Sequence, residues 1–359
     1  MIKRMACVFL VFPLLFTGCY DSVEISDELY AIMLGLDKSE QGIKLSLILP
    51  LYGEEEGGDQ TQSGNGKVIS VEAANFYEAM NQMHLKMARG ISLLHVKSVV
   101  VSEELARAGV SEHLSAVRHH METRNVMGIL FTESSAEEYL SFMNESASGA
   151  LSQELEQLLF RPRKNLYFPI RTLEDFCREM ESDYGQTYGV YCKSTEKEGE
   201  LYGTALFRGD KLVELLDKYQ SACTMMVRGE FEGGTMTAKD MVVDINPRPD
   251  ITIRTTMKHK IPHIMVLVAL EGGLMKGELP GYPTARDEEI AKQIQGYFLE
   301  TIKKTQRCGS DVWGFGMKSA KHFSSIPQWE AYDWKQMFPK ANIQVKVTFK
   351  TVKTEVNQR

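Results

Sequence analysis

Leu201-Tyr202-Gly203-Thr204-Ala205-Leu206-Phe207-Arg208-Gly209-Asp210-Lys211-Leu212-Val213-Glu214-Leu215 places two apolar runs on either side of a glycine-aspartate pair. Such runs joined by Gly-Asp mark a β-hairpin, because glycine accepts the positive φ that a tight turn demands. Arg208-Gly209-Asp210 would suggest cell adhesion in isolation, but within a hairpin Gly-Asp is turn chemistry. Downstream the hairpin rhythm continues. Residues 229–236, 241–246, 250–258 and 263–271 read as strands, with Pro247 and Pro249 linking two of them. A long helix over 284–305 follows, its polar face carrying Arg286, Asp287, Glu288 and Lys292. Trp313, Trp329 and Trp334 then mark a helical patch, and residues 343–352 a terminal strand.

Upstream, strand and helix alternate instead. Residues 29–36 are strand-like, and a polar turn through Asp37, Ser39 and Gly42 leads into 43–51. There Ile43, Leu45, Leu47 and Leu49 alternate as in a half-buried strand. Residues 53–66 are rich in Gly, Glu, Gln and Ser and read as an exposed loop, solvated slack rather than a partner contact. Residues 72–87 space Ala73, Phe76, Tyr77, Met80, Met83, Leu85 and Met87 at helical intervals, and a methionine stripe of this kind fills a core. Next come a strand at 95–101 and a helix at 102–108 capped by Ser102 and ended by Gly109. A helix at 111–121, a strand at 126–131 and a helix from Ser134 or Ser135 to Met143 follow. Leu151–Phe160 and 172–181 are further helices. The strand at 95–101 is expected to bury either His95 or Lys97. The polar, glycine-bearing stretch 184–199 is the expected boundary. The class is α+β (mixed α/β): sheets of mixed or antiparallel strands covered by helices. Two sequence regions, 29–198 and 199–359, leave room for three structural domains.

Composition excludes more than it assigns. The 359 residues are 43% hydrophobic and 25% charged, with 41 Lys and Arg against 48 Asp and Glu. That is an ordinary globular balance of two or three domains. The acidic excess argues against a broad nucleic-acid surface. Six cysteines, none in a C-x-x-C pair, support neither a disulfide scaffold nor a zinc or redox motif. No phosphate loop and no G-x-S-x-G elbow occurs, and Gly64-Asn65-Gly66 lacks the third glycine of a dinucleotide fingerprint. His113 and His120 share a helix face but stand about 10 Å apart along it, too far for one metal. No catalytic, metal or cofactor residue is assigned, and ligand-binding residues stay unknown.

The first residues read as a leader. Lys3 and Arg4 precede an apolar run from Met5 to Phe16, and Thr17-Gly18 leads to Cys19. The run is too short for a membrane span, which needs about 20 residues. Small residues before a cysteine point to a lipoprotein signal at 1–18, cleaved between Gly18 and Cys19. Cys19 then takes an S-diacylglycerol and an N-acyl chain, and residues 19–28 form a tether. Cleavage takes the formal charge from −7 to −9, with 39 basic against 48 acidic residues. An acidic body should be repelled by anionic lipid, which leaves attachment to Cys19. Cys177, Cys192, Cys223 and Cys308 remain, as one or two disulfides or as buried thiols.

Several stretches stand out when taken in order: Cys19-Tyr20-Asp21 with Glu24-Ile25, Leu34-Gly35-Leu36-Asp37, His95-Val96-Lys97, and Ser102-Glu103-Glu104-Leu105-Ala106-Arg107. Gly203 to Val213, Asp311-Val312-Trp313-Gly314-Phe315-Gly316 and Trp334-Lys335-Gln336-Met337-Phe338-Pro339 complete the set. Together they resemble the Ger(x)C family, the lipoprotein C subunits of nutrient germinant receptors of spore-forming bacteria. Family members commonly carry Trp where Tyr20 stands. The resemblance implies a non-catalytic, lipid-anchored protein on the extracytoplasmic face of the spore inner membrane. It also implies membrane-embedded A and B subunits as partners, and no cofactor. A substrate-binding lipoprotein of a transporter is the alternative, and it would show two similar lobes around a cleft. An exported hydrolase is a third reading, and it would show a pocket of converging titratable groups. Trp313, Phe315 and Trp334 are read as core rather than as an exposed partner patch.

Overall fold

The computed structural model describes residues 28–352 apart from 51–65, 121–122, 125, 148–150, 161–166, 195–198 and 277–282. The described chain begins in β1 (Glu28–Tyr30), so Glu28 belongs to the fold and not to a tether. β2 (Met33–Ser39) follows a break in which the Ala31 amide donates to Ser92 and the Ile32 amide to Ile48. This change of backbone partner splits the apolar run 29–36 into two strands. β3 (Gly42–Leu49) pairs with β2 and with β4 (Lys67–Ala73). Residues 72–73 thus end a strand rather than start a helix, because the free edge of β3 takes them. The helix is α1 (Phe76–Lys86), capped by Asn75, whose side chain accepts the Glu78 amide.

The rest of the first region alternates as expected. β5 (Gly90–Ser92) pairs with β1, and β6 (Ser98–Ser102) leads through α2 (Glu103–Ala108) and α3 (Ser111–His119) to β7 (Gly128–Thr132). α4 (Ala136–Ser146) starts at a capping box on Ser135, and α5 (Leu151–Phe160) follows. β8 (Arg171–Thr172) ends in the Thr172 cap of α6 (Leu173–Met180). β9 (Tyr188–Ser194) then lies inside the stretch expected to be a polar boundary. Its Tyr188, Val190, Tyr191 and Cys192 are fully buried, and it pairs with β7 on one side and β10 (Gly199–Arg208) on the other. Composition misled there because the polar residues flank the strand.

β10 and β11 (Lys211–Leu216) form the hairpin quoted above, with Gly209 at φ 63° as the first of two turn residues. They complete a nine-stranded sheet in the order β11-β10-β9-β7-β6-β2-β3-β4, with β8 on β7. Its centre, β2-β6-β7-β9, is parallel and its flanks antiparallel. Alternate residues feed two separate cores. Leu34, Val99, Val101, Phe131, Tyr191 and Phe207 pack under α1, α2, α3 and α6. Met33, Val100, Leu130, Val190 and Leu206 pack under α4 and α5. From Leu45 to Leu49, β3 is therefore buried on both faces, and only its start alternates as a half-buried strand.

α7 (Lys218–Arg228) has a capping box at Asp217 and ends at Gly229 in the left-handed region. Its small and β-branched residues (Ser221, Ala222, Thr224) mask the helical period, and sequence reading passed over it. β12 (Gly234–Ala238), β13 (Met241–Ile245), β14 (Asp250–Lys258) and β15 (Ile261–Lys276) form the second sheet. α8 (Pro283–Cys308) covers it, followed by α9 (Phe315–Ala320), α10 (Ile326–Tyr332) and α11 (Trp334–Met337). β16 (Asn342–Thr351) closes the sheet parallel to β15. The inner face of this sheet, with Val266, Val268, Val345, Val347 and Phe349, joins the core that holds Met33 and Val190. One hydrophobic core thus runs from β2 to β16, across both sequence regions. The mixed and antiparallel sheets covered by helices are those expected.

Candidate functional site at a buried seam

The residues that distinguish this chain meet where the two regions touch. The Asp311 carboxylate is the centre of one knot. It accepts the amides of Trp313 (3.2 Å), Phe315 (3.3 Å) and Gly316 (2.7 Å) and the indole N–H of Trp334 (2.8 Å). Its backbone carbonyl accepts the Gln186 amide at 3.1 Å, and the hydroxyl of Ser310 donates to Phe207 at 2.7 Å. A Cβ on Gly316 would lie 2.0 Å from the Tyr184 carbonyl oxygen, so only glycine fits against that strand-entry loop. Trp313, Phe315, Trp329 and Trp334 are all buried, and Trp313 stacks on Phe315 at 5.9 Å. They are core, as read, and not an exposed patch. Burial pushes the Asp311 carboxyl up to about 6 in spite of its four donors.

A second knot is charged. Arg171, the first residue of β8, bonds Glu179 at 2.6 Å and Glu230 at 3.2 Å. Arg228, in the last turn of α7, bonds the same Glu179 at 2.6 Å. The two guanidinium groups lie 5.0 and 5.3 Å from the centre of the Tyr188 ring, whose hydroxyl donates to Glu230 at 3.0 Å. Burial would lower both arginine pKa values, but the Glu179 and Glu230 carboxylates beside them outweigh it and keep both charged. Burial also raises the Tyr188 phenol, so the knot is neutral overall with two cations and two anions. Arg171, Glu179 and Tyr188 come from the first region, Arg228 and Glu230 from the second.

A third set of bonds blocks the free edge of β12. The Tyr167 hydroxyl donates to the Thr235 carbonyl at 2.7 Å and accepts its amide at 2.9 Å. Tyr219 accepts the Thr237 amide at 3.2 Å, and Tyr297 donates to the Thr237 carbonyl at 2.9 Å. Three phenols therefore satisfy the backbone groups that would otherwise template another strand.

Other motif residues are also pins. A Cβ on Gly35 would stand 3.1 Å from that of Ala136, which lets α4 sit close to β2. Asp37 then accepts the Ala136 and Glu137 amides at 2.6 and 3.1 Å, a charge at the helix N-terminus. Burial raises its pKa against those two bonds. Ser102 flanks α2 but bonds the Leu36 carbonyl rather than its own helix.

Of the residues singled out in the sequence, Gly18, Cys19 and all of 53–66 except Gly66 lie outside the described residues. Neither His95 nor Lys97 is buried. His95 is exposed against the Tyr30 ring at 4.5 Å, and Lys97 is half-buried in an ion pair with Glu156 at 3.1 Å. The strand begins only at Ser98, and so both precede it. They line a cavity of about 270 Å³ with Arg124 and Thr172. His113 is half-buried with its pKa lowered by burial, while the His120 ring packs on Phe76 at 5.5 Å. Among the described residues no group of three His, Cys, Asp or Glu is placed to hold a metal. Cys177, Cys192, Cys223 and Cys308 are free thiols, the first three buried. Among the described residues no helix is long and apolar enough to cross a membrane. The charged knot was missed in sequence. Its five members spread over 171–230 with no local spacing to connect them.

Comparison with known proteins places this architecture. Residues 21–193 match the family model "Spore germination protein N-terminal domain", and 202–355 match "Spore germination B3/GerAC like, C-terminal". The chain is 20% identical to the Putative spore germination protein YfkR of Bacillus subtilis, over 94% of each chain. It is 21% identical to Spore germination protein KC of the same organism, over 95% of this chain and 93% of that one. The crystal structure of the GerBC protein shares the fold, with a TM-score of 0.57, 16% identity, and coverage of 89% of this chain and 97% of that one. Matched by both models across nearly all of its length, the chain belongs to the Ger(x)C family of spore germination proteins.

Proposed function

We propose that this protein is the lipid-anchored, extracytoplasmic C subunit of a nutrient germinant receptor in the spore inner membrane. It works without catalysis beside membrane-embedded A and B subunits. The observation that carries the reading is the match of both family models to one chain whose start has the layout of a lipoprotein signal. The buried seam supports it. The motif residues Asp37, Gly209, Asp311, Gly316 and Trp334 serve as turns, caps and pins. The transporter reading gains no support, because a nine-stranded and a five-stranded sheet share one core instead of facing each other as similar lobes. On this reading 29–198 and 199–359 are units of inheritance that pack as one body. Acyl chains on Cys19, each methylene worth about 0.8 kcal/mol in lipid, supply the anchor.

Deletion of the gene is expected to abolish the germination response to one nutrient class and to spare receptor-independent triggers. A normal nutrient response in a strain without a redundant receptor would refute the reading. Cys19→Ala is expected to move the protein from the membrane to the soluble fraction when the membranes are washed in 1 M salt, which leaves the lipid-anchored wild type in place.

A further inference from the structure

The charge of the chain is unevenly divided. Residues 19–198 carry 16 Lys and Arg against 29 Asp and Glu, whereas residues 199–359 carry 23 against 19. Two stretches of the second region, 251–270 and 312–329, contain no acid at all. The fold brings them together. β14 and β15 are joined by a two-residue turn at His259-Lys260, both with positive φ (50° and 64°). Asn-Gly is the usual occupant of such a turn, so a His-Lys pair is kept there at a cost in strain. The Tyr332 hydroxyl donates to the Lys260 carbonyl at 2.7 Å. The Thr255 hydroxyl donates to the Lys318 carbonyl at 3.2 Å, and the His322 ring bonds the Thr255 carbonyl at 2.9 Å. These bonds hold the hairpin against α9, the turn that follows it and the end of α10.

The resulting surface is basic and studded with apolar side chains. Lys258, His259, Lys260, Lys318, Lys321 and His322 are all exposed. None of the four lysines enters an ion pair among the described residues. In the same two stretches Ile261, Met317 and Ile326 are 40%, 59% and 64% exposed. Acid returns only at Glu330 and Asp333 of the following helices.

We propose that this lobe docks on anionic lipid, its lysines on headgroup phosphates and its three apolar side chains in the headgroup layer. Charge complementarity selects the occupant. Single apolar residues set among unpaired lysines match the mixed chemistry of a lipid interface. The net charge of −9 averages over a lobe of the opposite sign, so repulsion of the whole body does not exclude attraction at this tip. The inference rests on the membrane location proposed above and adds a second contact to the anchor.

The test uses the chain from Tyr20 onward, which lacks Cys19 and keeps every described element. It is sedimented with vesicles of phosphatidylcholine alone, or of phosphatidylcholine with phosphatidylglycerol. Binding is expected only to the anionic vesicles, and is expected to be lost in 1 M salt, where the Debye length falls to about 3 Å. Lys258→Gln with Lys260→Gln, or Lys318→Gln with Lys321→Gln, should each weaken binding about 30-fold with unchanged circular dichroism melting. Lys303→Gln with Arg307→Gln, on the exposed side of α8, should leave it unaltered. No binding to anionic vesicles, equal binding to neutral ones, or wild-type binding by both tip variants overturns the proposal. Binding to polyglutamate without vesicle binding also overturns it and assigns the tip to an acidic protein surface. Because the assay reads an unanchored chain, its failure leaves the Cys19→Ala fractionation to decide the anchor separately.

Discussion

The two sheets obey opposite rules. In the nine-stranded sheet the central strand β6 is buried at every residue, and its neighbours feed cores on both faces. In the five-stranded sheet β14 alternates between exposed and half-buried along its whole length, and only the α8 side is packed. The first arrangement follows from parallel strands whose crossovers put helices on both faces, and the second from antiparallel hairpins covered once. The contrast shows where the molecule tolerates change. The centre of the first sheet can lose nothing without opening a cavity, while the outer face of the second is free to carry surface chemistry.

Paired substitutions can break that contrast. The largest effect is expected from Phe131→Ala, whose ring packs on Phe207 at 4.7 Å and Phe176 at 5.3 Å. Chemical denaturation should show a loss of about 3–5 kcal/mol. Asp311→Ala at the seam comes next, leaving three amides and an indole without an acceptor, at about 2–4 kcal/mol by the same measurement.

The titration of Asp311 gives a smaller, signed effect. Its folded pKa of about 6 lies above the ordinary carboxyl value of 3.8. Its contribution is therefore fully present below pH 3.8 and lost as pH rises through 6. Relative to Asp311→Asn, the wild type should gain about 1.4 kcal/mol between pH 7.5 and pH 5. Thermal melts of both proteins at the two pH values check this. Tyr167→Phe, which removes one hydroxyl from the β12 edge, should cost about 1 kcal/mol. The smallest effect belongs to Leu267→Ala on the open face of β15, at about 0.5 kcal/mol. A Leu267 cost equal to that of Phe131 would erase the distinction between the sheets.

Much of this was legible before the fold was known. The Gly209-Asp210 turn, a serine cap at 134 or 135, α5 and β14 follow from local chemistry, and local chemistry is what a sequence displays. β4, β9 and α7 were not legible in this way. β4 exists because β3 offers it an edge, β9 is buried although polar residues flank it, and α7 hides its period in small residues. For the seam, the aromatic residues of 313–338 announced a core, but nothing announced that Arg171 and Arg228 would share Glu179. That contact is tertiary in origin, and no periodicity encodes it.

The central claim is that the two sequence regions form one body, locked by the seam around Asp311, Arg171 and Arg228. Differential scanning calorimetry of the chain from Tyr20 onward tests this most directly. A single cooperative transition is expected, with Asp311→Ala lowering it as a whole. Two separable transitions, with Asp311→Ala shifting only one of them, would contradict the account.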